Sequence, residues 1–217
     1  MALKSRHAFV APAIVTGWLL ALAQLGYRVA THQLGANPIA TALNQLGLLS
    51  MVLLVASLCA TPLKLTLGWT WPLRARRTLG LLAFCTALLH FLLYLGPDQG
   101  FDVLGVLNDI GKRPFIAVGF LALVLLVPLA WTSSKEAVQR LTFPVWQRLH
   151  RLVYVVGALA ALHFFLRVKA DHTQPLIYGS IILLGFVIRL VAWRNKLVSK
   201  RTRAAKRAPA TPIPSAD

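Results

Sequence analysis

Six long apolar runs constrain this chain more than any other feature. They cover roughly residues 10–30, 43–62, 78–96, 114–131, 149–166 and 175–193. Each is close to the ~20 residues an α-helix needs to cross a bilayer core, and each carries almost no internal charge. Lipid offers backbone groups no hydrogen-bond partners, so each run must satisfy its own, and helices do so. The expected fold class is all-α: a polytopic bundle of six transmembrane helices. Composition agrees. Charged residues make up 13% of the chain, about half the share of a soluble domain.

Charge sets the expected orientation. The N-terminus, the loops at 63–77 and 132–148 and the C-terminal segment, counted with Arg151 and Arg189 at the adjoining helix ends, carry all but five of the 23 Lys and Arg. The exceptions are Arg28, Lys112, Arg113, Arg167 and Lys169. Basic residues collect on the cytoplasmic side. Both termini are therefore expected there, with residues 1–9 a short N-terminal segment, 10–193 the membrane domain and 194–217 a basic tail without persistent structure. Loops 31–42, 97–113 and 167–174 then face outward. A net charge of +17 reads as topology plus attraction to anionic lipid, with no nucleic-acid partner. Lys4 and Arg6 before an apolar run also suit a signal peptide, but the run continues to Ala30 and favours a retained span. Cys59 and Cys85 sit in apolar runs at unrelated spacing and read as small buried side chains.

Histidines carry the candidate chemistry. His163 lies within an apolar stretch bounded by Arg151 and Arg167, and His150 stands beside Arg151. A buried imidazole has two ring nitrogens to satisfy, and ionisable residues within spans are functional by default. With the topology above, His90 and His163 fall at similar depth in the outer half of the third and fifth spans. Two imidazoles from different helices at one depth suit a haem iron with one axial ligand from each side. Zinc would need three or four ligands, and these spans supply no further Cys, Asp or Glu. Thirteen residues before His90 is Arg77; thirteen before His163 is His150. An inner site is thus expected near His150, with Arg76, Arg77 or Arg151 pairing to a propionate, a flavin phosphate or a quinone oxygen. Thirteen steps fall ~140° short of four full turns, so either the two sites are offset or the helix between them is irregular. Gly157 lies midway and leaves room for a flat ligand or a neighbouring helix, with ordinary helix packing the expectation. Trp69, Trp71, Trp131, Trp146 and Trp193 near span ends read as an interfacial belt.

A run of motifs carries a family resemblance: "NPIATAL" (37–43), "TPL" (61–63), "RRTLGLLAF" (76–84), "LHFLLYLGPD" (89–98), "DIGKRPFIAVG" (109–119), "PLAWTS" (128–133) and "WQRLHRLVYVVGALAALHFFLRVK" (146–169). In this order they resemble the MsrQ (YedZ) family, within the ferric-reductase-like transmembrane superfamily. The resemblance spans about residues 35–193. It implies six spans in the bacterial inner membrane, one or two b-type haems and, in some members, FMN. It implies a non-catalytic subunit that passes electrons from the quinone pool or a cytoplasmic flavin reductase. The acceptor would be a periplasmic molybdopterin subunit of the MsrP type, which reduces methionine sulfoxide in oxidised proteins. The family's haem-ligand histidines match His90, His150 and His163. Where the wider superfamily carries a fourth histidine, this chain has Arg77. Two other functions compete: a stand-alone ferric or quinone-linked reductase, and a haem-free transporter or assembly factor that uses its histidines for proton relay or packing.

Overall fold

The computed structural model describes residues 9–207, with side chains to residue 199. The expectations for residues 1–8 and 208–217 lie outside that range. Among the described residues there is no strand. Nine α-helices follow in order: α1 Val10–Ala30, α2 Pro38–Leu67, α3 Trp71–Leu93, α4 Val103–Lys112, α5 Pro114–Trp131, α6 Lys135–Leu141, α7 Phe143–Leu149, α8 Leu152–Arg167 and α9 Thr173–Arg207. Six stretches are long and apolar enough to span a membrane: α1, α2, α3 with its continuation to Asp98, α5, α7 with α8, and α9 to Ser199. The six expected spans are all present.

The ends of the spans follow local chemistry. Asn37 caps α2, its Oδ1 accepting from the Ala40 amide at 3.0 Å, and Pro38 opens the first turn, where a missing N–H costs nothing. Gly68 ends α2 at φ +71°, in the left-handed conformation that glycine adopts without strain. α3 does not stop at Leu93 but continues as a π-helical turn, Tyr94–Asp98. Pro97 lies inside this turn and cannot donate to it.

α2 is the central helix. Its mid-section, from Met51 to Leu58, forms a buried cluster with Leu82 and Ala83 of α3, Leu126 of α5, Val156 of α8 and Ile182 of α9. α1 lies at the periphery with no buried residue. Trp18 Nε1 joins it to α3 by donating to Thr86 Oγ1 at 2.8 Å. The many exposed Leu, Ile and Val side chains face where lipid would lie, and cost nothing there.

Pro62 stands inside α2 and deprives the Leu58 carbonyl of its usual N–H donor four residues on. Arg189 of α9 supplies the replacement, Nη2 donating to Leu58 O at 2.5 Å, with its guanidinium 5.1 Å from the centre of the Tyr154 ring. A neighbouring helix thus satisfies a backbone group freed by proline, as membrane interiors require.

The structure departs from the sequence reading at two places. α9 runs unbroken to Arg207, through the first part of the segment read as an unstructured tail. Residues 194–207 are rich in Lys, Arg and Ala, all strong helix formers, and contain no Gly or Pro. The fifth span is also broken. α7 ends at Leu149, His150 and Arg151 form a turn, and α8 starts at Leu152. Tighter bonds bridge the break, with Arg151 N donating to Arg148 O at 3.1 Å. Of the two options that the thirteen-residue spacing left open, the helix is irregular.

Candidate functional site

His90 sits in the last turn of α3 and His163 in the last turns of α8. The two helices bring their rings together, with centroids 6.4 Å apart and planes at 82°. Both rings line one cavity of about 280 Å³. Its wall is mostly apolar, drawn mainly from α2, α3, α5 and α8, and includes the buried Met51, Leu54, Leu126 and Val156.

Each ring is fixed in the same way. His90 Nδ1 lies 2.9 Å from the Leu43 carbonyl on α2, and His163 Nδ1 lies 2.6 Å from the Phe115 carbonyl on α5. A carbonyl only accepts, so each Nδ1 carries the hydrogen and donates it. Nε2 is left with its lone pair in both rings. This is the arrangement of a metal-ligating histidine, whose second nitrogen donates to a carbonyl and sets the tautomer.

Glycines make room for both rings. Four residues after Leu43 is Gly47, where an added Cβ would lie 3.3 Å from His90 Cε1. Four residues after Phe115 is Gly119, where an added Cβ would lie 2.5 Å from His163 Nδ1. In a helix the residue four places on covers the flank of a carbonyl. A glycine there leaves the carbonyl open to a second donor. Sequence reasoning missed these four positions. The signal was present as a glycine in the first part of each of two apolar spans, at the same offset from the carbonyl that holds a ring.

Two metal–nitrogen bonds of about 2 Å, plus the short step from each ring centre to its nitrogen, span roughly 6–6.5 Å. The 6.4 Å between centroids matches that length. Among the described residues no group of three or more His, Cys, Asp or Glu could hold a metal ion. The donor set therefore fits a metal that brings its own equatorial ligands, as iron in a porphyrin does, and fits zinc poorly.

His150 is not on this cavity. Its Nε2 lies 3.0 Å from Thr132 Oγ1. Thr132 gives its single hydrogen to Pro128 O at 2.6 Å, so the imidazole Nε2–H is the donor to the hydroxyl. Trp146 covers one face of the ring, stacked at 4.1 Å, and donates its own Nε1–H to Thr132 O at 2.9 Å. Trp146 thus packs on a histidine, whereas Trp69, Trp71, Trp131 and Trp193 are exposed near span ends. Arg76 is half-buried. Arg77 and Arg151 are exposed. Gly157 packs against a helix rather than a cavity, since a Cβ there would meet Leu58 Cδ1 at 2.9 Å.

The acids of the 97–113 loop have structural partners. Asp102 caps α4 by accepting from the Gly105 amide at 2.9 Å. Asp109 accepts from Tyr94 Oη at 2.9 Å and pairs with Arg113 Nε at 3.2 Å.

The ferric reductase like transmembrane component family matches residues 43–161, a stretch that includes Leu43, His90, Phe115 and His150 and stops two residues short of His163. A protein from Rhodospirillum rubrum named protein-methionine-sulfoxide reductase heme-binding subunit MsrQ is 45% identical over 95% of this chain and 97% of its own length. Proteins of the same name from Deinococcus radiodurans and Caulobacter vibrioides are 46% and 43% identical, over 79% and 80% of this chain and 84% and 80% of their own. No solved structure matches. Together with the six apolar helices, these relatives make the chain a multi-pass protein of the bacterial inner membrane. It belongs to the MsrQ family of ferric reductase like transmembrane proteins.

Proposed function

We propose that this chain is a haem-binding electron-transfer subunit of a protein-methionine-sulfoxide reductase, with His90 and His163 as the axial ligands of a b-type haem. The observation that carries this reading is the pair of rings 6.4 Å apart, each with Nδ1 donating to a carbonyl. Haem supplies a one-electron ferric–ferrous couple. The chain fixes the two ligands and surrounds them with an apolar wall. The positive-inside bias supports a site in the outer half of the membrane, where it would serve a periplasmic molybdopterin partner of the MsrP type. The opposite end, with His150, Arg76, Arg77 and Arg151, is then cytoplasmic. It suits an anionic or quinone donor: FMN, a quinone or a flavin reductase that docks there. A second haem ligated by His150 through Nε2 requires that nitrogen to leave Thr132.

Purified protein is expected to show an intense Soret band that sharpens on dithionite reduction, and H163A is expected to lose the signal of the outer haem. A colourless, folded preparation would instead favour a transporter or assembly factor. Electron delivery to a molybdopterin enzyme, compared with delivery to a free ferric chelate, separates the subunit reading from a stand-alone reductase.

A further inference from the structure

The cavity that holds His90 and His163 has few polar groups on its wall, and most are already engaged. Ser50 donates to Ala83 O at 3.0 Å. Tyr94 donates to Asp109 at 2.9 Å. Asp98 is exposed and accepts from Gln99 at 2.9 Å. Two cations remain, Arg113 and Arg167, both on the lining. Arg113 is the N-cap residue of α5, two residues before the carbonyl that holds His163. Its side chain is 56% exposed and paired with Asp109. Arg167 ends α8, four residues after His163 and so about 6 Å further along the axis. It is half-buried and makes no hydrogen bond or ion pair among the described residues.

A half-buried guanidinium beside two imidazoles, with no acid paired to it, is costly in lipid unless an anion joins it. Its place one turn beyond His163 puts it at the edge of anything seated between the two rings, not at the centre. A porphyrin of the b type is apolar over its face and carries two carboxylates on one edge. From this placement we infer that Arg167, with Arg113 as a weaker second, binds the propionate carboxylates of the haem. In doing so it orients the haem, so that the propionate edge lies on the side of the cavity where α8 ends. Arg167 is a positioning residue: it touches the carboxylates and acts on the iron through its charge. The inference rests on the haem reading above.

The two arginines are not equivalent. Asp109 already neutralises part of the charge of Arg113, whereas Arg167 is unpaired. Reduction adds one negative charge to the haem, so a nearby cation favours the reduced form. Removing Arg167 is expected to shift the reduction equilibrium about tenfold toward the oxidised form, which for one electron is about 59 mV downward. R113Q is expected to shift it less, and R167K to restore most of the wild-type value.

The deciding experiment uses full-length protein made under haem limitation and reconstituted in detergent with haem or with haem dimethyl ester, whose carboxylates are masked. Wild type is expected to bind the ester about tenfold more weakly than haem, and R167Q to lose most of that preference, keeping only the small share that Arg113 supplies. Equal binding of haem and ester by wild type, or an R167Q variant that keeps both the wild-type preference and the wild-type potential, overturns the inference while leaving the histidine pair intact. If R167Q does not fold, the wild-type preference and R167K decide. A wild type that takes up neither compound fails at the haem reading itself, and the inference falls with it.

Discussion

Gly119→Ala is the sharpest perturbation of the site, because it adds one methyl group and no charge. The new Cβ would lie 2.5 Å from His163 Nδ1 and 2.7 Å from Cε1. Ordinary contacts begin near 3.4 Å, so the ring must retreat by about 0.9 Å. It bonds to Phe115 O at 2.6 Å, and a retreat of that size lengthens the bond to the limit of hydrogen bonding. A buried N–H left without a partner costs about 1–3 kcal/mol. Loss of the second-nitrogen partner of a metal ligand typically costs 10–100-fold in affinity. G119A should therefore lower haem affinity by about 10–100-fold, measured by haem titration of the apo-protein, with helix content by circular dichroism unchanged. Gly47→Ala is the internal control. Its Cβ would meet His90 Cε1 at 3.3 Å, which a small shift absorbs, and its expected loss is at most a few-fold. If G119A binds haem as tightly as wild type, or if G47A is the more damaging, the cradle does not hold the rings as described.

Further outcomes follow from the same geometry. Pro62→Ala gives Leu58 O a helical N–H donor, so Arg189→Met should cost less in that background than in wild type, by about 0.5–1 kcal/mol in a double-mutant cycle of unfolding in detergent. Thr86→Val removes the acceptor of the Trp18 indole hydrogen bond and should destabilise the protein by about 0.5–1.5 kcal/mol; equal stability would mean that this bond does not help to hold α1. Thr132→Val leaves His150 Nε2 without its hydroxyl partner, and its effect should fall on the His150 end of the bundle, with the spectrum of a haem on His90 and His163 unchanged.

The six spans were legible because lipid imposes a length and an apolar character that survive in sequence. The proximity of His90 and His163 was legible because helix rise converts sequence position into depth. Their partners were not. Leu43 and Phe115 act through backbone carbonyls, which every residue has, and only the packing of α2 on α3 and of α5 on α8 selects these two. Arg167 and Arg113 entered the sequence reading as exceptions to the charge bias, and Arg167 also as the end of an apolar stretch, since nothing local shows that they line the same cavity. Arg189 reads as a helix-end cation until Pro62 is seen opposite it. The continuation of α9 past Trp193 was hidden by its charge, because a polar helix lacks the apolar period that marks the others.

The central claim is that His90 and His163 grip one iron from opposite sides. Electron paramagnetic resonance of the oxidised, purified protein tests it most directly. With ring planes at 82°, wild type should give a six-coordinate low-spin ferric signal of the strongly anisotropic kind produced by near-perpendicular imidazoles. That signal should vanish in both H90A and H163A. A signal that persists in either single variant would contradict the shared-iron arrangement.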